Sequence, residues 1–395
     1  MKKKICIITP TFLPKTGGSQ IGIFNISKKL AEFKKDFDVH LFVPYSNYIQ
    51  LNKSKFNFKI HSMPPKLWWI LKYNNKIAFT FFNIFFFIFF LKYKFDFTIV
   101  NLAYPTGVMF SNFAKKYKKN PFIIICPGED IQKNKKIDYG LRLNPHIDYL
   151  VKKYLKHADF LIALTKGIKK EFTKIGISKK NIKEINYGID EKIYSIKDSK
   201  NKIRDNLKIP QNKFIYFCCG RNHPKKNFKI LIPAALELKK KYKDFLIMIT
   251  GKNTEKLIPL IKQNKLEKYF ILNNEVSYLD KNFRFPNKKL LLHFKASDAF
   301  VFPSNLETFG IVLIEAMACN LPIITSDAEG CVDVIDNGKF GMIFRKNNTK
   351  ELVSKMIEIR NKKTKLRYKL RSKKRIKDFA LSNIILEYRK LLFND

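Results

Sequence analysis

The sequence predicts an α/β protein of two domains, each built on a parallel sheet. Three observations lead there. The chain has 395 residues, more than one core usually organises and suited to two domains of roughly 150 to 200 residues. Short β-rich apolar runs alternate with helical patterns, the arrangement that yields parallel sheets covered by helices. The scheme then restarts after Tyr194 to Asn212, a polar, charged and apolar-poor stretch read as the interdomain linker.

In the first half, strands are expected near residues 4–10, 39–43, 97–101, 121–126 and 159–164. The first leads into Thr11 to Gln20, where Gly17 and Gly18 precede the helical pattern Ile21, Ile23, Phe24, Ile26 and Leu30. A glycine loop between strand and helix lets backbone approach a ligand closely. The spacing is not Gly-x-Gly-x-x-Gly, and the second strand, Val39 to Val43, runs on to Pro44 without an acidic residue. A nicotinamide cofactor is therefore not expected. Further on, Ile77 to Leu91 is apolar on every face, follows Trp68 and Trp69, and lies between Lys76 and Lys92. Fifteen residues make ~22 Å of helix, short of the roughly 30 Å hydrocarbon core of a bilayer. Two readings stand: a buried helix feeding the strand at Phe97, or an interfacial patch whose tryptophans and lysines suit lipid headgroups. The strand Pro121 to Cys126 then delivers Pro127-Gly128-Glu129-Asp130 at its carboxyl end.

In the second half, strands are expected at 214–219, 245–250, 298–303 and 321–326. The first ends in Gly220-Arg221-Asn222-His223-Pro224-Lys225-Lys226-Asn227, which puts two cations five residues apart at the carboxyl edge of a sheet, where open α/β folds bind ligands. In so basic a chain a cation pair near a loop is a weak signal; the Gly-Arg dipeptide at a strand end is rarer. After the 298–303 strand, Glu307 and Glu315 stand eight positions apart in Ser304-Asn305-Leu306-Glu307-Thr308-Phe309-Gly310-Ile311-Val312-Leu313-Ile314-Glu315. On a helix starting at Glu307, eight steps of about 100° return to within roughly 80° of the first azimuth, ~12 Å along the axis. The amides of Thr308, Phe309 and Gly310 would then face an anion at a positive dipole end. Carboxylates for sugar hydroxyls and amides for phosphate point to a nucleotide-sugar. The plain alternative is two glutamates that are solvated or paired with lysines.

The composite pattern from Ser297 to Phe344, with Gly330, Asp333, Gly338 and Gly341 at its turns, resembles the donor site of retaining glycosyltransferases of family 4. The resemblance implies the GT-B architecture, two Rossmann-like domains facing a central cleft, with domains at 1–195 and 207–375 and a terminal segment, 376–395, whose helix returns to the first domain. It also implies a nucleoside diphosphate sugar as donor, a saccharide or lipid-linked saccharide as acceptor, and cell-surface polysaccharide or lipopolysaccharide assembly as context. Arg221 and Lys226 match the family's phosphate-holding pair, Glu307 the group that grips the sugar, and Glu315 the one that bonds the ribose. Gly17 and Gly18 match its first-domain glycine loop, and Val276 lies in a segment that shapes the base pocket. Three positions depart from the family. Asn227 replaces the Gly after the lysine, a mild change because Asn tolerates left-handed backbone. Tyr187 replaces the more usual Asn before Gly188. Pro127 stands where many relatives carry a histidine, which leaves Glu129 and Asp130 as candidates for orienting the acceptor hydroxyl or for capping the next segment. A sugar phosphorylase, a nucleotide-sugar epimerase and a binding protein without activity are the alternatives on the same fold.

Lysine and arginine number 77 against 33 acidic residues, a formal net charge of +44. Such an excess attracts polyanions or an anionic membrane surface. No zinc-ligand spacing, RNP-like aromatic motif or recognition helix supports nucleic acid, so the membrane is the better partner. The apolar stretch after Met1-Lys2-Lys3-Lys4 ends at Pro10, unlike a signal peptide, so a cytoplasmic protein is expected. Six cysteines lie in or beside apolar runs without Cys-x-x-Cys spacing and are expected as reduced thiols. Neither a bound metal nor a resident cofactor is expected, the nucleotide-sugar being a substrate.

Overall fold

The computed structural model describes residues 2–65, 67–117, 120–274 and 285–393. It divides into two compact units: residues 1–188 with 381–395, and residues 189–380. Each contains one parallel sheet with helices between its strands.

The first unit's sheet has seven strands in the order β3-β2-β1-β4-β5-β6-β7. They are β1 (Lys3–Ile8), β2 (Phe37–Pro44), β3 (Lys59–Met63), β4 (Phe97–Asn101), β5 (Phe122–Cys126), β6 (Phe160–Ala163) and β7 (Ile182–Glu184). The second unit's sheet has six, ordered β10-β9-β8-β11-β12-β13: β8 (Phe214–Cys219), β9 (Phe245–Thr250), β10 (Phe270–Asn273), β11 (Ala299–Phe302), β12 (Ile323–Ser326) and β13 (Met342–Phe344). The central strands are buried on both faces, which is why they read as continuous apolar runs. The unforeseen strands are β3, β7, β10 and β13, and these are the four sheet edges. An edge strand is only partly covered, so its residues are mixed in character and signal weakly.

In both sheets the strand order reverses beside the first strand of the unit. The crevices this leaves lie at the carboxyl ends of β1 and β4 in one unit and of β8 and β11 in the other.

The linker expected at residues 194–212 is a correction. The division falls at 188/189, and the stretch is folded into the second unit through the helix Lys200–Asn206. Its polar residues are structural: the buried Arg204 pairs with Asp298 at 2.7 Å and donates to the carbonyls of Ala296, Gln211 and Lys213. Asp298 in turn accepts from Lys200 and from the amide of Ile215. At the other end, the helix Leu381–Phe393 packs within the first unit. There Lys3 donates to the Leu392 carbonyl at 2.7 Å, Arg389 pairs with Asp36 at 2.8 Å, and the rings of Phe37 and Phe393 lie 5.5 Å apart.

The all-apolar run forms a 19-residue helix, Asn75–Tyr93, capped by the Asn74 side chain. Ala78, Phe82, Phe86 and Phe90 repeat every fourth residue and are buried against the helix Val108–Tyr117 and the sheet. Asn83 donates to Asn112 across this contact at 3.1 Å. The opposite face is open to solvent. Phe86→Ala should therefore cost about 3–5 kcal/mol in chemical denaturation, whereas Phe81→Ala, 57% exposed, should stay within about 0.5 kcal/mol of wild type.

Candidate functional site

The second unit's crevice is built from the loops that leave β8 and β11. Beyond β8, Gly220 and Gly251 touch backbone to backbone. Both have positive φ (143° and 146°), and a Cβ on Gly251 would lie 2.1 Å from the Gly220 carbonyl oxygen. Only glycine allows the loops after β8 and β9 to approach so closely. The chain then turns through Pro224–Lys226, with His223 Nδ1 accepting the Lys225 amide at 3.2 Å. Asn227 adopts the left-handed conformation, φ 52°, so the residue in place of the family's glycine keeps the backbone a glycine would supply.

The loop after β11 is fastened to this turn. The Ser304 hydroxyl and the Asn305 amide both donate to the Lys225 carbonyl, at 2.8 and 2.7 Å. Lys226 then forms an ion pair with Glu307, its ammonium 4.4 Å above the Phe302 ring. Glu307 also accepts from the Thr308 amide at 3.3 Å. Burial pushes the Glu307 carboxyl up, but the charges of Lys226 and Lys225 and the hydrogen bonds from Lys226 and Thr308 outweigh it and hold the group below the usual carboxylate range. Gly330 presses on the loop from the other side: its amide donates to the Glu307 carbonyl at 3.2 Å, and a Cβ there would meet the Thr308 carbonyl oxygen at 2.3 Å. Arg221 is exposed and makes no ion pair with any described residue.

The glutamates are arranged differently from the helical expectation. The helix begins at Ile311, not Glu307, and Gly310 is its N-cap with φ 81°. Glu307 thus lies on a loop, and its lysine pairing is the plain alternative weighed from sequence. Glu315, expected to bond a ribose, is fully buried, and its carboxylate accepts from the Tyr194 hydroxyl at 3.1 Å. Thr308 and Phe309 are buried, and the Phe309 ring lies edge-on at 5.7 Å from Phe379.

In the first unit, Gly17 caps the helix Gly18–Glu32 with extended backbone, so φ alone does not demand glycine there. The buried Asn101, at the end of β4, knits this loop to β1 by donating to Thr9 Oγ1 at 2.9 Å and Ser19 Oγ at 3.0 Å. Glu129 is exposed. Asp130 is not: it is fully buried and accepts the amides of Ala103 at 2.6 Å and Gly128 at 2.9 Å, which ties the loop after β4 to the loop after β5. Of the two roles weighed for Asp130, orienting an acceptor hydroxyl or capping backbone, these contacts are of the second kind. Burial raises its pKa to about 6 despite these bonds. Val276 lies outside the described residues. Sequence reasoning missed Gly251, Asn101, Tyr194 and the Lys225 carbonyl. Of these, only Gly251 carried a local signal, a glycine closing a strand as Gly220 does.

Sequence profiles of two families match the chain: "Glycosyltransferase Family 4" over residues 16–192 and "Glycosyl transferases group 1" over 199–377. An uncharacterized glycosyltransferase of Methanocaldococcus jannaschii is 28% identical over 405 aligned positions, covering 99% of this chain and 98% of its own. The capsular polysaccharide biosynthesis glycosyltransferase CapM of Staphylococcus aureus is 27% identical over 241 residues, 59% of this chain and 61% of its own. Among solved structures, Anabaena HepE in complex with UDP and glucose superposes with a TM-score of 0.76 at 16% identity, covering 100% of both chains, and so shares the GT-B fold.

Removing one member of this largely buried ion pair leaves the other uncompensated. Lys226→Met should destabilise the second unit by about 3 kcal/mol, and adding Glu307→Gln should recover much of that loss in a double-mutant denaturation cycle. For Asp130, a folded pKa raised from 3.8 to about 6 means that the folded state holds this proton more tightly than the unfolded chain. Its contribution is full below the ordinary value and declines as pH rises to about 6. The melting temperature of wild type relative to Asp130→Asn should accordingly fall across that window; a relative rise would contradict the raised pKa.

Proposed function

Because the chain belongs to the glycosyl transferases of group 1, of the family 4 type, we propose that it is a retaining enzyme acting on a nucleoside diphosphate sugar. The acceptor is a saccharide or lipid-linked saccharide. The observation that carries this reading is the junction of the β8 and β11 loops, where Lys226 is held by Glu307 and Arg221 stands exposed at the carboxyl edge of the sheet.

Two cations at such an edge suit a diphosphate. As the bond from the anomeric carbon to the diphosphate breaks, its electron pair stays with the leaving group and negative charge builds there. The acceptor oxygen forms the new bond to the same carbon, with the original configuration kept. Cations already fixed in place stabilise that developing charge without reorganising, so they favour the transition state over bound substrate. Arg221 and Lys226 fill the charge-neutralising role a metal would otherwise take, and no resident cofactor enters the reaction. Glu307 serves twice, orienting Lys226 and offering its carboxylate to the sugar's hydroxyls. Likeness to a capsular polysaccharide glycosyltransferase supports cell-surface polysaccharide assembly, lipopolysaccharide included, as the setting, and a structural neighbour holding UDP supports the donor class. The second reading, a binding protein without turnover, draws on Pro127 in the place of the usual histidine.

A thermal-shift panel of UDP, GDP, ADP and CMP with their sugars tests the donor site. One nucleotide at 100 times its Kd should stabilise wild type by about 2.7 kcal/mol, and Arg221→Ala should abolish the selectivity. Glu307→Gln should lower transfer by roughly 100-fold or more, and the NMR coupling of the product's anomeric proton should match that of the donor. Nucleotide binding without transfer to any saccharide or lipid-linked acceptor would favour the binding protein; inverted product would sink retention.

A further inference from the structure

The helix Asn75–Tyr93 presents an apolar stripe that nothing in its own unit covers. Ile77, Phe81, Ile84, Ile88 and Leu91 are all exposed. At about 100° per residue they fall within an arc of roughly 80°, opposite the buried Ala78-Phe82-Phe86-Phe90 face. The preceding helix, Leu67–Tyr73, packs against this one and adds Trp69 and Tyr73, whose rings lie 4.8 Å apart. Exposure across these seven residues runs from 47% to 66%. A contiguous apolar face of this kind marks an interaction site.

Charge identifies the partner. Between residues 67 and 94 there are four lysines, Lys72, Lys76, Lys92 and Lys94, and no acidic residue. Two flank each end of the stripe, which is the placement of cations around an apolar face lying in a lipid interface, with Trp and Tyr at headgroup depth. A second copy of this chain would bring lysines against lysines on a molecule of formal net charge +44. Spanning does not fit the geometry: the helix is held to its unit along one side, by the Asn83–Asn112 hydrogen bond and by ring contacts of Phe86 and Phe90 with Phe113 at 6.3 and 5.3 Å.

We propose that the outward face of these two helices is a monotopic docking surface for an anionic lipid bilayer, with Phe81, Ile84 and Ile88 entering the headgroup and upper acyl region and the four lysines contacting lipid phosphates. The surface is independent of the donor site, and its test reads no catalysis.

Trp68 and Trp69 are the chain's two tryptophans, Trp69 exposed on this face and Trp68 packed beside it against the core, so intrinsic tryptophan fluorescence reports on the helix Leu67–Tyr73 alone. Wild-type protein is mixed with vesicles of phosphatidylcholine, with or without phosphatidylglycerol, and followed by flotation and tryptophan emission. The expected result is at least tenfold stronger partition onto the anionic vesicles, with a blue shift. Phe81→Asp/Ile88→Asp should reduce partition at least tenfold and remove the shift, with an unchanged melting curve because both positions are exposed. Phe81→Ser/Ile88→Ser provides the milder replacement should the charged pair perturb folding. Three results would overturn the proposal: no flotation with the anionic vesicles, equal flotation of wild type and both double variants, or a wild-type dimer that the variants convert to monomer.

Discussion

The ion pair between Lys226 and Glu307 joins residues 81 positions apart, and it exists because β8 and β11 are neighbours in the sheet. That adjacency is the consequence of the strand-order reversal. Two loops leave the same edge side by side with no helix between them, so their polar groups must satisfy one another or meet a ligand. Here several of them satisfy one another: the Lys225 carbonyl takes the Ser304 hydroxyl and the Asn305 amide, and the Glu307 carbonyl takes the Gly330 amide. Arg221 is left facing solvent. Lys226 is thus held in place by Glu307 beside the exposed Arg221.

Close backbone approach is the second requirement of that frame, and it explains which glycines cannot change. Gly251 against Gly220 and Gly330 against Thr308 leave no room for a Cβ. Gly17, by contrast, has extended backbone, and a Cβ there would meet only the flexible end of Gln20. The same economy holds for buried charge. Arg204 and Asp298 anchor the start of the second unit, and Asp130 ties two loops of the first through backbone amides. Buried charged groups in this protein thus serve mainly to fix loops.

The phenylalanine run, the second conspicuous feature of composition after the cationic excess, lies in one helix of the first unit. A helix apolar all round resembles a buried or membrane-spanning segment by composition, and its most apolar window has a mean hydropathy of 1.6. Yet only 33% of that window is buried. The helix divides its faces between a core and the outside: the buried-helix reading holds on one side, and the interfacial reading is the one proposed for the other.

Much of the architecture was legible in the sequence. Continuous β-branched and aromatic runs marked the strands buried on both faces, because full burial demands apolar residues at every position. The Gly-Arg loop and the segment around Glu307 marked the candidate site, because strand ends and helix starts impose local backbone requirements. The four edge strands escaped notice, since half-covered positions impose no such pattern, and Tyr194 to Asn212 read as a linker because its polar residues find their partners only at Ala296 and Asp298. The roles of the carboxylates were also hidden. Glu307 and Asp130 look alike on paper, but tertiary structure surrounds one with lysines that lower its pKa and buries the other so that its pKa rises. Glu315 is withdrawn to Tyr194. The sequence by itself determined the fold class and the family, which rest on local patterns of burial and turn chemistry. Only the tertiary structure decided which charges stay exposed, because burial and ion pairing depend on contacts between residues distant along the chain.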